Sequence, residues 1–278
     1  MPTVRELLLA GSELPGDSPS RDAEILLCHC LGKPRAWLYT WPEETVASDC
    51  TARYRALLAE RQAGQPVAYL TGTREFWSLR LSVNSATLIP RPDTETLVAW
   101  ALELDAPHDA RVLDLGTGSG AIALAVASER PDWQLMAVDC SAAALRVARA
   151  NAASLQMDRV DFLESDWFDA LDHQLFDMLL SNPPYIDPQD AHLEQGDLRF
   201  EPHEALVATG GGLDDIQQLV SQAPARLKQG GWLLLEHGCE QADNVCALLR
   251  GEGFSRVETR TDLAGLPRIS GGQWRAVG

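Results

Sequence analysis

From Pro92 onward the chain keeps one rhythm, in which short apolar runs alternate with stretches of helical period. The runs are Arg111 to Leu115, Gln134 to Asp139, Val160 to Glu164, Asp177 to Leu180 and Trp232 to Glu236. Helices are expected from about Ala121, Ala142, Asp214 and Gln241. Strands separated by whole helices must cross over and run parallel, and runs that are apolar at nearly every position are covered on both faces. The alternation therefore predicts an α/β fold, a doubly wound and mostly parallel sheet with helices on either side. Two later runs, about Arg256 to Thr261 and Trp274 to Val277, complete a seven-stranded sheet, one of them antiparallel.

The first third has a different texture. A short helix is expected from Val4, a second after Ser20, where Asp22 and Glu24 stand in the first turn, and a longer one through Ala52 to Gln62. Ser20 has the chemistry of a helix start, and Gly32 with Pro34 that of a stop. A small helical domain over residues 1–72 follows. Between Glu75 and Val83 bulky residues alternate, and the chain is expected to turn at Asn84 and Ser85 into Thr87, Leu88 and Ile89. This reads as a hairpin linker over residues 73–92, leaving 93–278 as the α/β domain. At 278 residues with 45% hydrophobic content, the chain can bury cores for a large and a small domain.

The first apolar strand runs straight into Asp114-Leu115-Gly116-Thr117-Gly118-Ser119-Gly120, and the next helix starts at once. Glycines at a strand-to-helix turn let backbone approach a ligand and leave the helix N-terminal amides free. Gly116, Thr117, Gly118, Ser119 and Gly120 are therefore candidate cofactor contacts. Asp139, ending the next strand, can accept hydrogen bonds from both hydroxyls of a ribose; capping the following helix is its alternative use. The glycines alternate instead of following the dinucleotide pattern, and an acidic residue beside the loop would sit badly next to phosphates. A sulfonium cofactor with an amino-acid tail suits the pattern better. Ser165, Asp166 and Trp167 follow the third strand, where Trp167 can meet an adenine ring or simply cover the sheet end.

The fourth strand ends in Ser181-Asn182-Pro183-Pro184-Tyr185, and the C-terminal ends of strands are where open α/β sheets place their chemistry. Two prolines remove two N–H donors, so the loop offers carbonyl oxygens. Asn182 adds another acceptor and Tyr185 a flat face. Such a loop can hold a planar NH2 group by both hydrogens. An amide nitrogen is a poor nucleophile, so catalysis must come from aiming it, and positioning can account for roughly 7 to 11 kcal/mol of barrier. Asn182, Pro183 and Tyr185 are the candidate catalytic residues, and Asn182 to Tyr185, Pro184 included, the candidate substrate contacts. Glutamate brings only lone pairs, and unpaired buried polar groups cost about 1 to 3 kcal/mol each, so glutamine is favoured.

Forty acidic against 23 basic residues give a formal charge of -17, which opposes direct nucleic-acid binding. No stretch reaches the roughly 18 apolar residues of a membrane span, and the first residues are not a signal peptide, so a cytoplasmic protein without membrane contact is expected. The six cysteines lack zinc-site spacing, and Cys28, His29 and Cys30 point in different directions on one helix, so no metal is expected.

With both motifs in place, the chain resembles the class I, Rossmann-like methyltransferases, and most closely the bacterial release factor glutamine N5-methyltransferases. The resemblance extends through Arg74 to Trp77, Leu88 to Glu95, the glycine turn, Ser165 to Trp167, Asn182 to Asp187, Gln195 to Asp197, Arg199 to Pro202 and Leu234 to Gly238. It implies S-adenosylmethionine contacts at Gly116 to Gly120, Asp139, Trp167 and Asn182, and amide contacts at Asn182 to Tyr185. It also implies N5 methylation of the glutamine in the Gly-Gly-Gln motif of peptide chain release factors, docked with help from residues 1–72. Arg91 and Glu201 are supporting residues or a structural ion pair. A monomer is expected.

Three rival readings stay open: a ribosomal-protein glutamine methyltransferase, a nucleic-acid amino-methyltransferase, and a cofactor-binding protein without catalysis. The chain's own Gly271-Gly272-Gln273 repeats the tripeptide that such enzymes modify. Its expected place in a final strand makes this a coincidence, with automethylation as the residual possibility.

Overall fold

A computed structural model describes residues 1–16 and 18–275. The chain divides into two compact units, Met1–Thr73 with Ala191–Phe200, and Arg74–Asp190 with Glu201–Gly278.

The first unit is helical, with α1 (Val4–Ala10), α2 (Pro19–Leu31), α3 (Arg35–Thr40), α4 (Ser48–Gln62) and α5 (Val67–Thr71). Thr3 and Glu6 exchange side-chain and backbone hydrogen bonds as a capping box at α1. The second helix starts at Pro19 after Ser18, not after Ser20, because proline's fixed φ suits the first helical turn. Gly32 ends it in the left-handed conformation, as expected. The α4 helix begins four residues before Ala52, and α3 and α5 were not anticipated. Leu7, Leu26, Leu27, Leu38 and Tyr54 form the core, with the Tyr54 hydroxyl donating to Leu7 O at 3.1 Å. Arg61, 11% exposed, pairs with Asp22 and Asp197, each at 2.8 Å, and so ties the 191–200 excursion into this unit.

In the second unit the hairpin is shorter and earlier than expected. Its strands are β1 (Thr73–Phe76) and β2 (Leu79–Ser82), turning at Trp77 and Ser78 with φ of 50° and 60°; the expected turn at Asn84 is also made, with Thr87 N donating to Asn84 O at 3.0 Å, but it joins no strand pair among the described residues. Both turn residues at positive φ match the twist of paired strands. After α6 (Glu95–Glu103) come β3 (Arg111–Leu115), α7 (Ala121–Glu129), β4 (Gln134–Asp139), α8 (Ala142–Ser154), β5 (Asp161–Glu164) and β6 (Phe176–Ser181). The single turn α9 (Thr209–Gly212), α10 (Asp214–Gln222), β7 (Leu227–Glu236), α11 (Ala242–Glu252), β8 (Ser255–Thr261) and β9 (Pro267–Gln273) complete it.

The sheet is seven-stranded in the order β5-β4-β3-β6-β7-β9-β8, parallel except for β9, which runs antiparallel to both neighbours. The final strand therefore lies at Pro267–Gln273 and not at Trp274 to Val277, of which Ala276 and Val277 fall outside the described residues. Alternate strand residues feed two cores: Val112, Met178 and Leu234 pack with Trp100 and Leu124, while Leu113, Leu179 and Leu233 pack with Ile216 and Leu249. The chain steps outward from β3 through β5 and returns to β6 beside β3, so the order reverses there. A crevice opens at such a reversal, at the C-terminal ends of the strands.

Candidate functional site

The two motif-bearing strands are neighbours. Leu115 of β3 stands opposite Ser181 of β6, and Ser181 Oγ donates to Leu115 O at 2.7 Å. The strands run parallel, so the glycine turn and the Asn182 loop leave the same sheet end side by side.

The turn is held from behind. The N–H groups of Gly116 and Thr117 both donate to Val138 O at 2.9 Å, and Gly116, Gly118 and Gly120 take φ of 72°, 56° and 86°. Asp114 is fully buried; its Oδ2 accepts from Thr117 Oγ1 at 2.6 Å and from Ala123 N at 3.2 Å. Its Oδ1 has no hydrogen-bond partner among the described residues, and burial pushes the carboxyl up to about 7. Asp139 accepts from Gly118 N and from Ser141 N, both at 2.8 Å, and burial raises its carboxyl above the ordinary range. Each of its oxygens keeps a second lone pair.

Trp167 follows β5 at φ 43°. Ser165 Oγ donates to Trp167 O at 2.9 Å and accepts from Ala170 N at 3.0 Å, which fixes that turn. A pocket of about 220 Å³ opens between these elements, and Gly116, Gly118, Asp139, Trp167, Asn182 and Pro184 all line it. Thr117, Ser119 and Gly120 lie behind it. Thr117 and Ser119 are buried, and Ser119 O accepts from Asn151 Nδ2 at 2.9 Å. Pro183 is buried and Tyr185 half-buried. The pocket wall also carries Asp166, Glu204 and Asp215, and no lysine or arginine is among its described lining residues.

The Asn182 loop is fastened on its far side. Gln241 Nε2 donates to Tyr185 O at 3.0 Å. Ile186 N donates to Leu206 O, and Ala208 N to Ile186 O, each at 3.0 Å. Gly212 passes so close that a Cβ there would meet Tyr185 O at 2.1 Å.

Two residues that sequence reasoning did not assign to the site stand behind Asn182. Asn182 Nδ2 donates to Thr94 Oγ1 at 3.2 Å, Thr94 Oγ1 donates to Glu236 Oε2 at 2.6 Å, and the Tyr185 hydroxyl donates to Glu236 Oε1 at 3.2 Å. Burial pushes the Glu236 carboxyl up to about 7, and burial followed by the Glu236 charge pushes the Tyr185 phenol upward. The available signal was Glu236 itself, a carboxylate closing the apolar run Trp232 to Leu235 at the chemical end of the sheet. Glu201 is buried, accepts from Ile89 N at 2.9 Å and pairs with Arg91, which clamps the segment leading to Thr94. Neither Arg91 nor Glu201 lines the pocket.

Gly271, Gly272 and Gln273 lie in β9, hydrogen-bonded between β7 and β8, and Gln273 Nε2 donates to Gly230 O at 2.9 Å. Among the described residues no group of His, Cys, Asp or Glu could hold a metal ion, and no helix is long and apolar enough to cross a membrane.

Residues 93–242 match the methyltransferase small domain family, and residues 7–72 match the PrmC N-terminal domain family. The release factor glutamine methyltransferase of Pseudomonas aeruginosa is 52% identical over 269 residues, covering 96% of this chain and 97% of the relative. That of Shewanella oneidensis is 49% identical over 258 residues, covering 93% and 90%. Among solved structures, a methyltransferase from Pyrococcus furiosus superposes with a TM-score of 0.55 at 16% identity, covering 83% of this chain and all of that one. The hMettl16 catalytic domain, in complex with MAT2A 3′UTR hairpin 1, gives 0.60 at 18% identity, covering 86% and 85%. At such identities these structures speak to the fold alone.

Proposed function

Because this chain belongs to the release factor glutamine methyltransferase family, we propose that it methylates N5 of the glutamine in the Gly-Gly-Gln motif of peptide chain release factors, using S-adenosylmethionine. The observation that carries this reading is the adjacency of Leu115 and Ser181, which sets the glycine turn and the Asn182 loop on one pocket.

The residues present fit the cofactor. Gly116 and Gly118 leave room for close approach, Asp139 has lone pairs free for two hydroxyls, and Trp167 offers an aromatic surface. An acidic wall with no lysine or arginine among its described lining residues suits a ligand that is positive at its sulfonium and its amino group, and it is ill suited to phosphates. When bound, S-adenosylmethionine supplies an electrophilic methyl carbon. The chain's own contribution is to bind and aim. With Nδ2 given to Thr94, Asn182 has Oδ1 left to accept a proton from the substrate NH2, and the loop carbonyls supply a second acceptor. Holding both N–H bonds points the nitrogen and draws electron density onto it. A glutamate in the same place would set acceptor against acceptor.

The helical unit, matching the PrmC N-terminal domain family, is proposed to dock the release factor. The test is incubation with labelled S-adenosylmethionine and purified release factor, ribosomal protein or DNA, repeated with Asn182→Ala. Labelling of the release factor alone is expected, lost in the variant while cofactor binding persists. Label in ribosomal protein or DNA instead would overturn the reading.

A further inference from the structure

We propose that Glu236 and Thr94 are positioning residues that fix which way round the Asn182 carboxamide faces, and so select an amide over an acid in the pocket. This rests on the amide-methylating reading given above and adds to it the origin of its selectivity.

The argument is one of proton counting. A hydroxyl carries a single proton, and an ionised carboxylate only accepts. Glu236 is 1% exposed, and its two oxygens are met by Thr94 at 2.6 Å and Tyr185 at 3.2 Å. With Glu236 ionised, each hydroxyl spends its proton on the carboxylate. Thr94 Oγ1 then has only lone pairs to offer, and the Asn182 atom 3.2 Å away has to be the donor Nδ2. Polarity passes in this way from a carboxylate at the end of β7, through one hydroxyl, to a side chain on the pocket wall. The two ends of an asparagine carboxamide have nearly the same shape, so nothing steric prevents a flip. With the relay intact, Oδ1 is the end left for the substrate. With it broken, Nδ2 can take that place, where it opposes a substrate NH2 and welcomes a carboxylate.

The buried cost of this arrangement supports a purpose for it. Glu236 forms no ion pair among the described residues; two hydroxyls are its hydrogen-bond partners, and Arg268 acts on it only at longer range. Apolar packing would fill the same space with less desolvation.

The test uses full-length enzyme with Thr94→Val, which keeps the shape and deletes the relay, Thr94→Ser, which keeps the hydroxyl, and Glu236→Met, which deletes the acceptor. Each is measured for kcat and KM on release factor, for cofactor affinity, and for inhibition by a release factor whose Gly-Gly-Gln is changed to Gly-Gly-Glu. Thr94→Val and Glu236→Met should lower kcat by about 10- to 100-fold, as misaimed groups do, with KM for release factor and cofactor affinity nearly unchanged. Inhibition by the glutamate form should strengthen by about tenfold, the size of one hydrogen bond gained in place of a clash. Thr94→Ser should stay close to the parent. A wild-type enzyme that labels release factor, beside a Thr94→Val enzyme with unchanged kcat and unchanged glutamate inhibition, overturns this inference alone. If the wild type fails to label release factor, the functional reading itself fails. Should Glu236→Met not fold, the Thr94→Val and Thr94→Ser pair decides the matter.

Discussion

Gly116 and Trp167 divide one space between them: a Cβ on Gly116 would lie 3.4 Å from the indole ring, on a backbone already at φ 72°. The glycine therefore serves two ends, a left-handed turn and an open floor beneath the aromatic ring. Gly116→Ala should destabilise the protein by about 1 to 2 kcal/mol through the backbone alone. It should also weaken S-adenosylmethionine binding, because the added methyl, in van der Waals contact with Trp167, takes up the open floor beside the ring. Calorimetric titration and urea denaturation of the variant check both, and an unchanged cofactor affinity would detach this wall from ligand binding.

Asp114 predicts a pH effect with a definite sign. Burial holds its carboxyl at about 7, and that of Glu236 likewise, so the folded state keeps protons that the unfolded chain releases in the ordinary carboxylate range. The stability contributed by these groups is complete below that range and is lost as pH rises through about 7. The thermal midpoint of the cofactor-free enzyme should fall over this interval. Asp114→Asn retains an oxygen to accept from Thr117 and Ala123, and places an amide where the partnerless Oδ1 stood. The variant should show a shallower slope and a higher midpoint at alkaline pH. Its cofactor affinity should drop by about 10- to 100-fold if that carboxylate receives a cation. Thermal scans across pH, with and without cofactor, separate these outcomes.

What the sequence disclosed, and what it hid, follows from the range of the interactions involved. Arg111–Leu115 and Gln134–Asp139 are legible to the residue because each is a short, mainly apolar run closed by a turn or a carboxylate. The hairpin was misplaced because Trp77 and Ser78 adopt positive φ without the asparagine or glycine that announces such turns. The last strand was hidden by its own composition. Gly271 is required where a Cβ would meet Leu234 at 2.4 Å and Trp100 at 3.0 Å, and glycines weaken the strand signal. In the site, the glycine turn and Asn182 were readable as local motifs, whereas Thr94 and Glu236, 142 positions apart, meet only through the fold.

Gln273 gives a negative prediction. Its side-chain nitrogen is engaged by Gly230 O and its backbone is paired in β9, so presenting its amide to a pocket requires the end of β9 to peel away from β7 and β8. Incubating the enzyme with S-adenosylmethionine and no protein substrate should leave its intact mass unchanged. A gain of one methylene, mapped to Gln273, would mean that β9 opens in solution.

Arg61 offers a way to perturb the helical unit without touching the chemistry. It is 11% exposed and answers two carboxylates, Asp22 and Asp197, while also donating to Gln65 O at 3.2 Å. Burial already raises the Asp22 carboxyl against the pull of Arg61, so removing the guanidinium would leave a poorly solvated acid behind. Breaking a buried pair in this manner costs about 3 to 5 kcal/mol, and because Asp197 is 41% exposed the lower figure applies. Arg61→Met should therefore lower the urea midpoint and let protease cut first within residues 191–200, which lose their tie to α4. If the helical unit docks the release factor, KM for that substrate should rise while cofactor affinity stays put. A variant that is cut early yet keeps its KM would place docking elsewhere on the chain.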